Sequence, residues 1–204
     1  MRGARGFAAG VLALAGVAVA GCGSGPRQDA SEPSGHFRLR VVSAHFPRHQ
    51  SLAQSSMLRI RVHNPGRRNL PDVAVTVETH ARGGGAPQAF ASDVQDTNVA
   101  DASRPIWILD SGPAGGTTAV TNTWALGPLG PGQTKLFTWR LTAVKAGNYV
   151  VGYRVSPGLT GKAKPLGHNR GAFHVVIDSR PPSAGVDDAG NVVTHYPSGS
   201  TPAQ

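Results

Sequence analysis

Every second residue is apolar in stretch after stretch of this chain. Leu58, Ile60 and Val62 alternate with Arg59, Arg61 and His63 and stop at the turn Asn64-Pro65-Gly66. Leu39 and Val41 alternate with Arg38 and Arg40, Val73, Val75 and Val77 with Ala74, Thr76 and Glu78, and Phe137, Trp139 and Leu141 with Thr138 and Arg140. Tyr149, Val151, Tyr153 and Val155 follow Ala146-Gly147-Asn148, and Phe173, Val175 and Ile177 close the set. A period of two puts alternate side chains on opposite faces of an extended strand, so each stretch presents one face to a core. About seven such strands, separated by Gly, Pro and Asn turns and with no helical spacing among them, predict an all-β antiparallel sandwich over residues 37–178.

Two connections exceed a tight turn. Residues 79–121 carry Gly83-Gly84-Gly85, the acidic residues Asp93, Asp96 and Asp101, and the apolar run Pro105-Ile106-Trp107-Ile108-Leu109. A structureless loop of that length is unusual in a compact domain, so Ile106 to Leu109 is expected to add an edge strand. Residues 156–170 form a basic connection with Lys162, Lys164, His168 and Arg170. Beyond Asp178 the chain is rich in Pro, Gly and Ser, which predicts a disordered tail over 179–204 with at most a short pairing at Val192-Val193.

The chain starts with Arg2 and Arg5, runs through apolar residues from Phe7, and meets its only cysteine at Val19-Ala20-Gly21-Cys22. A basic start, an apolar centre and small residues at the end form the secretory pattern. The Gly- and Ala-rich run from Phe7 to Gly21 is short for a membrane helix, which needs roughly 20 apolar residues. An ordinary signal peptide with an incidental cysteine, or a retained anchor helix, are the alternatives. The four residues ending at Cys22 resemble the lipobox of a bacterial lipoprotein. That resemblance implies a signal helix over residues 1–21, cleavage between Gly21 and Cys22, and a diacylglyceryl group with fatty acyl chains such as palmitate on Cys22. More than one chain matters, because a single one gives only marginal membrane binding. The implied location is the extracytoplasmic face of the cell membrane. Residues 22–36 read as a flexible tether that would hold the domain on the order of 20 Å from the bilayer. With its lone cysteine at the anchor, the folded part can form no disulfide and must be stabilised by burial.

The segment 58–66, followed by Val73-Ala74-Val75-Thr76-Val77, resembles the opening half of CARDB modules (cell-adhesion-related domains found in bacteria) and related conserved-repeat domains. The second half is similar too: Leu126-Gly127-Pro128-Leu129-Gly130-Pro131-Gly132-Gln133, an aromatic strand, then Ala146-Gly147-Asn148-Tyr149. The resemblance spans roughly residues 37–177 and is interrupted by the long insert and the 156–170 connection. It implies an immunoglobulin-like sandwich acting as a non-catalytic module for adhesion, spacing or ligand display, and it carries no active site.

Net charge is +9, or +7 once Arg2 and Arg5 leave with the leader. If the first two strands pair, Arg38, Arg40, Arg59 and Arg61 share one face, with Arg140 beside them and Arg67 and Arg68 at the turn. The ordinary reading of such a stripe is a solvated face; the functional one is docking onto an anionic envelope polymer, an acidic protein or lipid head groups. Trp107 could offer a ring face to a sugar, or pack the added strand, whereas Trp124 and Trp139 have core parity. Tyr149 sits where a tyrosine corner would bond the backbone. Asp93, Asp96, Asn98 and Asp101 lack the spacing of a calcium loop, and the eight histidines show no HExxH or HxH pattern, so neither metal nor cofactor is expected. No G-x-S-x-G elbow or phosphate-cradling glycine loop points to an enzyme, and high pI alone does not argue for nucleic acid in an exported protein. The expectation is a non-catalytic, lipid-anchored module for adhesion or envelope interaction. The alternative is a glycan- or small-ligand-binding lipoprotein using the 80–120 insert and the 156–170 loop.

Overall fold

A computed structural model describes residues 32–80, 89–91, 105–120 and 122–197. The expected leader, the Gly21–Cys22 cleavage site, the Gly83-Gly84-Gly85 run and the acidic run at Asp93, Asp96, Asn98 and Asp101 lie outside the described residues.

Among the described residues every regular element is a strand. In chain order they are β1 (Gly35–Arg38), β2 (Arg40–His45), β3 (His49–Ser51), β4 (Ser55–His63), β5 (Ala74–His80), β6 (Phe90–Ala91), β7 (Trp107–Ser111) and β8 (Thr117–Val120). There follow β9 (Thr123–Ala125), β10 (Thr134–Ala143), β11 (Gly147–Ser156), β12 (Ala163–Leu166), β13 (Arg170–Asp178), β14 (Ser183–Val186) and β15 (Val192–His195). One sheet has the order β2-β4-β10-β7-β6 and the other β3-β13-β11-β5-β9-β8. If β2, β4, β5, β7, β10, β11 and β13 are lettered A to G in chain order, the sheets contain A-B-E-D and G-F-C. That is the arrangement of an immunoglobulin-like sandwich.

The alternation in the sequence is what closes the two sheets on each other. Leu58, Ile60 and Val62 of β4, Phe137, Trp139 and Leu141 of β10, and Val75, Val77, Val151, Val155 and Val175 of the facing sheet are all buried. Each fully buried side chain of this size contributes about 1.5–3 kcal/mol. Rings fill the centre: Trp124 meets Trp139 edge-on at 5.5 Å, and Phe137 stacks on Trp139 at 5.8 Å.

The structure departs from the sequence reading at four places. The run at Ile106–Leu109 does form a strand, but β7 is not the edge. It pairs with β10 on one side and with the two-residue β6 on the other. The expected first strand breaks at Leu39: β1 pairs in parallel with β12 inside the 156–170 connection, and only β2 joins β4. Of the expected tether over 22–36, the described end is held: Glu32 is fastened and the chain is extended from Gly35, while residues 22–31 lie outside the described residues. In the tail the short pairing allowed at Val192-Val193 is present and runs longer than expected. β14 and β15 make a hairpin whose turn is closed by Asp187, which accepts from the backbone N–H groups of Ala189 (3.0 Å) and Asn191 (2.8 Å).

Candidate functional site

The outward face of the A-B-E-D sheet collects the arginines. In β4 the burial alternates, so Met57, Arg59, Arg61 and His63 point away from the core. Register then sets their neighbours: Arg40 lies opposite His63, Ser43 opposite Arg61 and His45 opposite Arg59, while Arg140 of β10 lies opposite Met57. Arg40, Arg61 and Arg140 are exposed, and Arg59 is half-buried with its guanidinium 3.1 Å from the Met57 sulfur. Away from this face, Arg154 pairs with Glu78 at 3.5 Å and Arg180 with Asp178 at 3.1 Å.

Arg38 is not on this ladder. It belongs to β1, beside the turn after β4, and a Cβ placed on Gly66 would meet the Arg38 Cβ at 3.4 Å. There, with His36, Arg67, Arg68, Pro65 and Leu166, it lines a groove of about 660 Å³. The Arg68 guanidinium lies over the Phe37 ring at 4.6 Å, a cation–π contact that holds the charge at the groove wall. The turn itself is fixed by the buried side chain of Asn64. Its Nδ2 donates to the carbonyls of Arg68 and Leu129, both at 2.9 Å, and its Oδ1 accepts from Gly66 N–H at 2.9 Å. Asn64 reads in the sequence only as a turn former; that it also grips the Leu129 turn needs the tertiary fold.

The carboxylates at this end are turned to structural use. Glu32 accepts from the backbone N–H groups of Leu159 (2.6 Å), Thr160 (2.9 Å) and Ala163 (3.1 Å). Burial alone would raise its pKa, but the amides of Thr160, Ala163 and Leu159 outweigh that and hold it below the ordinary carboxylate value. Asp72 is pushed up by burial, against the opposing Gly127 amide and Lys135 charge and with the nearby Glu32 adding to the rise. Burial also lowers Lys135, whose Nζ donates to the Leu126 carbonyl.

Trp107 offers no ring to a ligand: it is 0% exposed, packed against Phe46, Phe90 and Tyr149, with its Nε1 donating to Gln50 Oε1 at 2.8 Å. Its indole lies in the core, which corrects the reading of this residue as a possible ligand contact and leaves the packing reading. Trp124 and Trp139 are core residues, and the Tyr149 hydroxyl donates to the Ala146 carbonyl at 2.9 Å as a tyrosine corner does. Among the described residues no group of three His, Cys, Asp or Glu side chains is placed to hold a metal. What the arginine-lined surfaces can do chemically is neutralise and hydrogen-bond an anion, since a guanidinium fork matches phosphate or carboxylate oxygens.

No protein-family model matches the sequence, and no curated protein matches it at a significant level. Several solved structures are similar. The CARDB domain of the PF1109 protein from Pyrococcus furiosus, crystallised in complex with di-metal ions, is 14% identical; the match covers 71% of this chain and 93% of that one, with a TM-score of 0.40. Native α2-macroglobulin from Escherichia coli, from domain MG7 to its C-terminus, is 13% identical over 76% of this chain and 21% of that one, with a TM-score of 0.42. A β-glucosidase from Listeria innocua is 15% identical over 70% of this chain and 16% of its own, with a TM-score of 0.36. The fold is established by the strand order and register described above, and these similarities add no function to it.

Proposed function

We propose that this chain is a non-catalytic immunoglobulin-like module, held on the extracytoplasmic face of a cell membrane through lipidated Cys22, whose arginine-bearing face engages an anionic component of the cell envelope. The observation that carries the reading is the outward projection of Arg40, Arg59, Arg61 and Arg140 from three adjacent strands of one sheet. A positive potential over one face attracts an anionic partner. Lipidation supports it by keeping the domain beside the envelope, and is tested on its own: Cys22→Ser should take up no labelled fatty acid and accumulate as uncleaved precursor, whereas an acylated Cys22→Ser protein would exclude the anchor.

The binding face is tested with the full chain in detergent, applied to envelopes stripped of lipid so that the anchor cannot retain it. Wild-type protein should be held at low salt and released as salt rises. The Arg40→Gln/Arg59→Gln/Arg61→Gln/Arg140→Gln variant should pass through, and its undiminished retention would sink the reading. A second reading, a glycan- or small-ligand-binding module, is favoured by one observation: a groove of about 530 Å³ beside the 156–170 connection, with Thr76, Thr123, Arg154, Lys164 and Arg170 on its walls. A glycan screen in which binding is lost on Arg154→Ala would support it.

A further inference from the structure

The strand registers put the folded N-terminus at a particular end of the sandwich. Arg40 at the start of β2 lies opposite His63 at the end of β4, which lies opposite Thr134 at the start of β10. Ala74 at the start of β5 lies opposite Ser156 at the end of β11, and Arg154 opposite Arg170 at the start of β13. The turn after β4, the 127–133 turn and the 156–170 connection therefore share one end, and Glu32 is clasped into that connection. The chain leaves β13 at the opposite end, at Asp178.

This end is cationic. Arg38, Arg67, Arg68, Lys162, Lys164 and Arg170 are all exposed there. Among the described residues the carboxylates at this end are Glu32, held by three backbone amides, and Asp72, half-buried beside the Gly127 turn. Glu32 is ten positions after Cys22. Even fully extended that stretch reaches no more than about 36 Å, so a lipid on Cys22 ties the bilayer to this end of the sandwich more closely than to the Asp178 end.

We infer that the groove between β1 and the turn after β4, walled by Arg38, Arg67, Arg68 and His36, seats the phosphate of an anionic phospholipid head group and docks the domain N-terminal end down on its own membrane. The inference rests on the reading of Cys22 as the lipid anchor and goes beyond it by assigning a lipid-facing site distinct from the sheet face. Arg38, Arg67 and Arg68, the last with its charge fixed over Phe37, line one concavity, which suits a tetrahedral anion better than a flat charged face does. Each arginine close to an anionic bilayer shifts the docked-to-free equilibrium about fivefold. Removing three should shift it on the order of a hundredfold.

The test uses the full acylated chain reconstituted in phosphatidylcholine vesicles, with and without phosphatidylglycerol, read by amide hydrogen exchange. Residues 35–38, 64–70 and 162–166 should be protected on the phosphatidylglycerol vesicles alone, and lose that protection at high salt and in the Arg38→Gln/Arg67→Gln/Arg68→Gln variant. Unchanged exchange in β4 and β10 would show that the variant is folded. Equal exchange on both vesicles, or full protection of the variant, would overturn the site. So would equal protection on neutral vesicles by a soluble glycerol-phosphate polymer, which would make the source of the phosphate a polymer and not the bilayer. The mass of the N-terminal peptide scores acylation of Cys22 separately. If it is unmodified, flotation with the same two vesicle types reads the groove, and no preference for phosphatidylglycerol would overturn it.

Discussion

Gly147 has φ +147°, and a Cβ there would sit 2.9 Å from the Tyr149 hydroxyl. That close approach is the inner side of the tyrosine corner, where the hydroxyl reaches back to Ala146. Gly147→Ala should therefore cost about 1–3 kcal/mol, combining backbone strain with the displaced hydroxyl, while Tyr149→Phe should cost only about 1 kcal/mol. Urea melts of the two variants measure the difference, and equal midpoints would refute the clash. Asn64 is the second single residue on which a turn depends. Asn64→Ala leaves the Arg68 and Leu129 carbonyls without their side-chain donor and should lower stability by about 2–4 kcal/mol, a fall in Tm of roughly 5–15 °C. The Ala146-Gly147-Asn148-Tyr149 motif was legible in the sequence because its parts are adjacent. The Asn64 grip on Leu129 was not, since its partners lie 65 residues apart.

At the scale of elements, alternation located the strands well and their partners poorly. The inward residues of β4, β10 and β11 are those that the period of two selects. Trp107 left two readings open, ligand platform or packing of the added strand, because a short apolar run inside a long polar insert carries no signal of its depth; the structure selects packing. Its burial comes from pairing with β10 on one side and β6 on the other, and from Gln50, which supplies the acceptor its indole N–H needs. The Glu32 clasp was illegible for a related reason. Glu32 lies among Gly, Ser and Pro residues, and its three amide donors come from 127 to 131 positions away. The clasp has a pH signature. Because the folded pKa of Glu32 is depressed, its stabilising contribution is fully present above the ordinary carboxylate pKa and is lost as pH falls through the lower, folded value. Acidification should thus lower the protection factors at Leu159, Thr160 and Ala163, exchange being taken relative to the intrinsic amide rate at each pH. In Glu32→Gln exchange there should be faster already at neutral pH, with the acid-specific step gone; a step that survives in Glu32→Gln would place its origin elsewhere.

For the whole molecule, two sheets lean on a single apolar core and leave one outer face and one end rich in arginine and lysine. The leader and Cys22 stand outside the described residues, so the reading of a membrane anchor rests on the sequence alone, while the placement of the arginines needed the strand registers. Arg40, Arg59, Arg61 and Arg140 can be put on one face by parity. Arg38 belongs instead to the groove with Arg67 and Arg68, because β1 pairs with β12. The sheet face is proposed to bind an anionic partner, and the salt dependence of that binding tests it. Retention of the full chain on lipid-stripped envelopes should fall steeply with the logarithm of salt concentration. The slope should collapse in the Arg40→Gln/Arg59→Gln/Arg61→Gln/Arg140→Gln variant and persist in Arg154→Gln, whose guanidinium pairs with Glu78 on the other sheet. A slope that is the same in wild type and in the fourfold variant would contradict the claim.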